Sequence, residues 1–123
     1  MIEIYDRKGF TKIFETEEQT LVGATLANHD LTNANLIQMD LRRANFQNCN
    51  LSDADLRLAN LEDANFAGAN LKGVDFSGAN LTGANLSGAI LEEIKLHGTT
   101  MHLAGLRLLQ THHLDISEIV LAS

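Results

Sequence analysis

From Leu21 to Leu106 an apolar residue stands at every fifth position without a miss. The column reads Leu21, Leu26, Leu31, Leu36, Leu41, Phe46, Leu51, Leu56, Leu61, Phe66, Leu71, Phe76, Leu81, Leu86, Leu91, Leu96, Met101 and Leu106. With a hydrophobic content of 45%, chance would produce such a run about once in a million trials. Two further columns keep the same phase. The residue two before each central one, from Ala24 to Ala104, is Ala in eleven of seventeen pentads. The residue just before it, from Asp30 to Asn85, is Asn or Asp in all twelve.

This period excludes the ordinary continuous elements. In an α-helix five residues advance about 140° beyond a full turn, so the column would spiral over every face. In a strand an odd step sends successive side chains to opposite faces. The chain must therefore turn a corner about once per pentad, aiming each central side chain back at one axis. Leu and Phe then fill the axis, and Ala occupies the tighter inward space beside them. Asn and Asp face outward, where their short side chains can bond nearby turn backbone. The last pentad position holds Gly at 68, 73, 78, 83, 88 and 98, and Asn or Asp at 28, 33, 48, 53 and 63. These residues tolerate the positive φ that a type II turn needs at its third position. Gln38, Arg43, Leu58 and Glu93 also stand there, and other turn types are expected at those four corners.

Charge pairs indicate how many corners make one coil. A separation of twenty brings together Arg42/Glu62, Arg43/Asp63, Lys72/Glu92 and Asp75/Lys95, against one like pair, Asp55/Asp75. A separation of fifteen gives only like pairs: Asp40/Asp55, Arg42/Arg57 and Arg57/Lys72. Like charges on adjacent strands repel, so a four-sided coil of twenty residues is favoured, with Phe46 stacked on Phe66.

The consecutive Ala-Asn-Leu pentads, such as Ala34-Asn35-Leu36 and Ala79-Asn80-Leu81, resemble the pentapeptide-repeat family, whose motif is roughly A-(D/N)-L-X-X. The resemblance covers residues 21 to 106 and implies an all-β, right-handed quadrilateral β-helix. On that basis the chain has about 4.5 to 5 coils and stands about 22 Å tall at the usual strand spacing. Family members abound in cyanobacteria and other bacteria, and some act in regulation. Some mimic duplex DNA and inhibit or protect type II topoisomerases.

A length of 123 residues fits one domain. Residues 1–20 are out of phase and read as a cap: Ile2 to Tyr5 and Phe10 to Phe14 flank Asp6-Arg7-Lys8-Gly9, a hairpin with a Gly-containing turn. An open solenoid end needs such a cover. Residues 21–106 are the coil, whose pattern weakens after Ala89. Residues 107–123 are a capping helix or an irregular continuation of the coil. Continued phase puts Leu109, Thr111, Leu114, Ile116, Ile119 and Leu121 inward, whereas a helical stripe there is less apolar, so the tally favours coil. There is no membrane-spanning run and no signal-like N-terminus, so a cytoplasmic location is the default. The single cysteine excludes an internal disulfide. A net charge of −7 argues against direct nucleic-acid binding.

Candidate chemistry is sparse. His29 and Cys49 share the Ala column, one coil apart, and read as small interior substitutions. On a continued coil His112 and His113 sit above Glu92 and Glu93, a set that could hold a divalent metal but reads better as solvated surface. No phosphate-binding loop or Ser/His/Asp set is present. No catalytic residue, metal site or cofactor is expected. Outside, the corner column Ala27-Asn28, Gln47-Asn48, Ala67-Gly68 and Ser87-Gly88 is uncharged. Another corner exposes Ile37 and Leu58 beside Arg57, with Arg42 and Arg43 nearby, a candidate partner-binding surface.

The favoured reading is a non-catalytic scaffold or interaction module for an unidentified protein, as a monomer or weak end-to-end dimer without membrane contact. The alternative is a DNA-mimic inhibitor or protector of a type II topoisomerase. Duplex DNA carries about one negative charge per 1.7 Å, which would require about thirteen on a rod this tall. Residues 21–106 hold nine acids and five bases, a net of −4, so the charge density disfavours the mimic.

Overall fold

The computed structural model of the protein describes residues 1–122. Strands β1 (Ile2–Tyr5) and β2 (Lys12–Thr16) form an antiparallel hairpin, with Ile4 opposite Phe14. β2 begins two residues later than the sequence suggests, because Asp6 Oδ1 accepts the Phe10 and Thr11 N–H groups and draws both residues into the turn. The hairpin lies across the first coil. Arg7 N–H donates to Asn33 O and Asn35 N–H to Tyr5 O, while Ile4 is buried in the core.

From Thr25 to Thr100 the backbone is a parallel ladder with a register of twenty, from Thr25↔Asn45 through Asp55↔Asp75 to Asn80↔Thr100. Each side is one bridge pair between two turns, too short to form a regular strand. Five residues per corner and twenty per register step give four corners to each tier. The axis column is buried from Leu21 to Met101, and the Phe46 and Phe66 rings stack at 4.9 Å and 4°. All twelve Asn/Asp residues of the outward column accept, through Oδ1, the N–H two residues ahead, from Thr32→Asp30 to Ser87→Asn85. The short Asx side chain thereby takes up a turn donor that a tier-to-tier bond cannot reach.

Three expectations are corrected. Gln38, Arg43, Leu58 and Glu93 have φ of 60°, 57°, 62° and 60°, the same left-handed corner as their glycine and asparagine counterparts. At three of them the corner N–H donates to the tier ahead, as Gln38→Arg57 O at 2.9 Å and Leu58→Ser77 O at 3.0 Å do, so the ladder favours one turn geometry whatever the side chain. The vertical charge pairs do not close either. Arg42 and Arg57 turn sideways to Asp40 and Asp55, at 2.8 and 2.7 Å, because a carboxylate two residues away offers the guanidinium a fork-on-fork fit.

The third correction concerns the end of the coil. β3 (Thr100–Met101) is followed by helix α1 (Leu103–Thr111), and β4 (Val120–Leu121) then pairs with β3 in parallel. Leu106 therefore lies on α1 and is only half-buried, while Leu109 takes the fully buried place. Thr111 and Leu121 are exposed, and Leu114, Ile116 and Ile119 are half-buried. After the helix the register of twenty resumes, since Thr100 pairs with Val120. Among the described residues no helix is long and apolar enough to cross a membrane.

Candidate docking corner

One corner carries Ile37-Gln38, Arg57-Leu58, Ser77-Gly78 and His97-Gly98 in vertical succession. The backbone holds it tier to tier: after the Gln38 and Leu58 bonds come Gly78 N–H to His97 O at 2.8 Å and Gly98 N–H to Glu118 O at 2.9 Å. These eight residues line a shallow hollow of about 550 Å³. Ile37, Arg57 and Leu58 thus come together. Arg42 and Arg43 belong to the next corner and do not line the hollow. Ser77, Gly78, His97 and Gly98 complete it, and stepping twenty and forty residues from Ile37 or Leu58 reaches or adjoins all four.

Leu58 is 57% exposed. It is the one apolar side chain among the non-glycine corners of positive φ in the described residues. A left-handed conformation costs an L-residue about 1–2 kcal/mol, least for Asn and Asp. Leu58 therefore carries strain without the return of full burial.

Arg57 is held in place. Its Nε and Nη2 donate to Asp55 Oδ1 and Oδ2 at 2.9 and 2.7 Å, and Asp55 is only 3% exposed. Burial pushes the Asp55 carboxyl up. The Arg57 bonds and charge, the Arg57 backbone N–H and the charge of Arg7 outweigh burial and hold it below the usual carboxylate range. At the far end His97 Nδ1 contacts the Glu118 carboxylate.

The other candidates are placed differently. Cys49 is buried and its Sγ donates to Leu26 O, and burial raises its thiol above the ordinary value. Thr99 makes the same contact, Oγ1 to Phe76 O, across the same sequence gap, so Cys49 fills a polar niche of the Ala column. His29 is not interior: it is exposed on the first tier and meets Phe14 edge-on at 5.3 Å. With no coil tier above, its side chain packs against the hairpin instead. His112 lies at the end of α1 and shares a small hollow with Glu92. Among the described residues no group of three His, Cys, Asp or Glu could hold a metal ion. A hollow of about 630 Å³ beside the hairpin turn is lined by Asp6, Arg7, Lys8 and Asn33 and lacks apolar side chains.

Residues 21–57 and 59–98 match the family model for pentapeptide repeats, in eight copies. No curated protein sequence matches the chain. Among solved structures it is similar to the pentapeptide repeat protein Rfr23 of the cyanobacterium Cyanothece 51142, with 39% identity and a TM-score of 0.60 over 61% of this chain and 52% of that one. It is also similar to a pentapeptide repeat protein of the Arabidopsis thaliana thylakoid lumen, with 29% identity and a TM-score of 0.53 over 67% and 53%. The alignments therefore span about half the length of each of these structures. By this match and by its twenty-residue ladder, the chain belongs to the pentapeptide-repeat family.

Proposed function

We propose that the chain is a non-catalytic interaction module, a right-handed β-helix of about 4.5 to 5 coils at twenty residues each. It docks a protein partner on the Ile37–Arg57–Leu58 corner. The observation that carries this reading is Leu58: an exposed leucine at φ 62°, on a corner where Asn, Asp or Gly would be both less strained and more soluble. The axis is filled by Leu, Phe and Ala, leaving no cleft in which chemistry could be sheltered from water. The duplex-mimic reading is weakened further by the lateral pairs Asp40–Arg42 and Asp55–Arg57, which neutralise two acids of the outward column.

The test is capture from an extract of the organism of origin, using the wild-type chain and an Ile37→Glu/Leu58→Glu variant. Both replacements should fold, because Glu62 and Glu92 already occupy the position of residue 37 in other pentads and Glu93 that of residue 58. A protein retained by the wild type and lost with the variant supports the proposal. An unchanged retained set overturns it.

A further inference from the structure

The relief of the docking corner narrows what can sit on it, a step that rests on the interaction-module reading. Leu58 Cδ2 lies over Gly78, 2.6 Å from where a β-carbon there would stand. One tier on, a methyl group at Gly98 would meet nothing nearer than Gly78 N at 3.8 Å. Leu58 itself fills the space over Gly78, so the open Gly98 corner beyond it leaves a notch about one side chain deep. Leu58 borders it, Ile37 lines the same hollow beyond Leu58, and His97, in contact with Glu118, lies at the far end.

Arg57 stands at the lip. Its Nε and Nη2 are engaged by Asp55, and Nη1 has no acceptor within hydrogen-bond distance among the described residues. A guanidinium offers only donors, in a planar fork that suits carboxylates, and one already fixed loses little freedom on binding. The apolar strip is small. Three tier steps span about 14 Å, so one corner's width covers on the order of 200 Å², against about 800 Å² per partner in a stable globular pair. Arg42, Arg43, Glu62 and Asp63 bound it on the next corner, all charged. A second copy or a broad protein face is therefore a poor fit, and a narrow ligand a good one.

We infer that the occupant is an extended segment of a partner protein, seating one aliphatic side chain in the notch below Leu58 and setting a carboxylate against Arg57 Nη1. The combination follows a general mode of peptide recognition, a pocket for one side chain beside a fixed polar anchor.

The probe is a phage-displayed library of random peptides, selected on the 123-residue chain. The expected result is enrichment of sequences pairing an aliphatic residue with a nearby acid. Synthetic versions should lose about tenfold or more in affinity on Leu58→Asn, on Arg57→Gln and on Gly98→Asn, which fills the notch without touching either anchor. Circular dichroism establishes that each variant is folded. Enrichment without the acid, or binding indifferent to these substitutions, overturns the inference. So does wild-type dimerisation in sedimentation that Leu58→Asn abolishes, since the corner would then be covered by a second copy. If extract capture depends on Leu58 while the selected peptides lack the acidic–aliphatic pattern, the module reading stands and only this occupant is lost.

Discussion

The corners of the first half of the coil and those of the second have the same shape but are built from different residues. From residue 28 to 63 every corner carries a side chain at φ between 57° and 65°; from 68 to 98 all but Glu93 are glycine, at φ between 68° and 74°. Glycine is the less strained choice, so conformation alone would favour it throughout. The difference lies in what each corner supports. Asn48, Asp53, Leu58 and Asp63 lie flat over Gly68, Gly73, Gly78 and Gly83, in the space a β-carbon would fill. The glycines of one tier make room for the side chains of the tier before. Gly88 and Gly98 face only other glycines and have space to spare. The first half carries its surface at a conformational cost, and the second half gives it a floor.

The strongest way to break this comparison is to put a branched side chain on that floor. Gly78→Val should destabilise the chain by about 3 kcal/mol, from left-handed strain in a β-branched residue together with collision against Leu58. In a Leu58→Gly background the cost should fall by about 1 kcal/mol, because the collision is gone and the strain is not. Urea denaturation of the four chains measures this coupling. Equal costs in both backgrounds would show that Gly78 serves its own φ alone.

The axis was legible because a five-residue period admits so few backbones, and the Asx column because short acceptors beside turns have one common use. The corners at Gln38, Arg43, Leu58 and Glu93 depart from the sequence expectation for the opposite reason. Residue preference describes an isolated turn, whereas the N–H groups of Gln38, Arg43 and Leu58 are each committed to a carbonyl in the tier ahead. Of the residues in the vertical pairs that favour a register of twenty, Arg42 turns sideways to Asp40 instead of closing on Glu62. Opposite charges can still favour a register at distances beyond contact, as the influence of Glu62 on Arg42 illustrates. A capping helix is one of the two readings of residues 107–123, but the apolar tally there favours coil because α1 starts earlier, at Leu103, inside the apparent repeat. Ile37, Arg57 and Leu58 could be grouped from sequence, but the notch needed the side-chain direction of Leu58.

Two aspartates in one column sharpen the contrast between the halves. Asp55 and Asp75 both accept the N–H two residues on, but only Asp55 is buried and gripped by an arginine. Asn can make the same turn bond, so Asp75→Asn should change stability by less than about 0.5 kcal/mol, and Asp55→Asn should cost about 1–2 kcal/mol at neutral pH. The Asp55 carboxyl is held below its ordinary value, so its contribution is fully present above the unfolded pKa of about 3.9 and fades as pH falls through the lower folded value. Thermal melts from pH 6 to pH 2.5 should therefore show wild type and Asp55→Asn converging at the acid end. A gap that stays constant with pH would mean that the charge of Asp55 is not what holds Arg57.

The smallest effects bear most directly on why the first half tolerates strain. Leu58→Asn replaces a strained, exposed leucine with a residue that adopts left-handed φ readily, and should raise stability by about 0.5–1 kcal/mol. Gly98→Asn puts the same side chain into open space at a corner of the same shape, and should stay within about 0.5 kcal/mol of wild type. If both hold, a corner without leucine is at least as stable as the native one, and the leucine is there for something outside the fold. A loss of stability with Leu58→Asn would reverse that: the packing of Leu58 on Gly78 would then outweigh its strain, and the exposed corner would be a structural feature needing no partner to explain it.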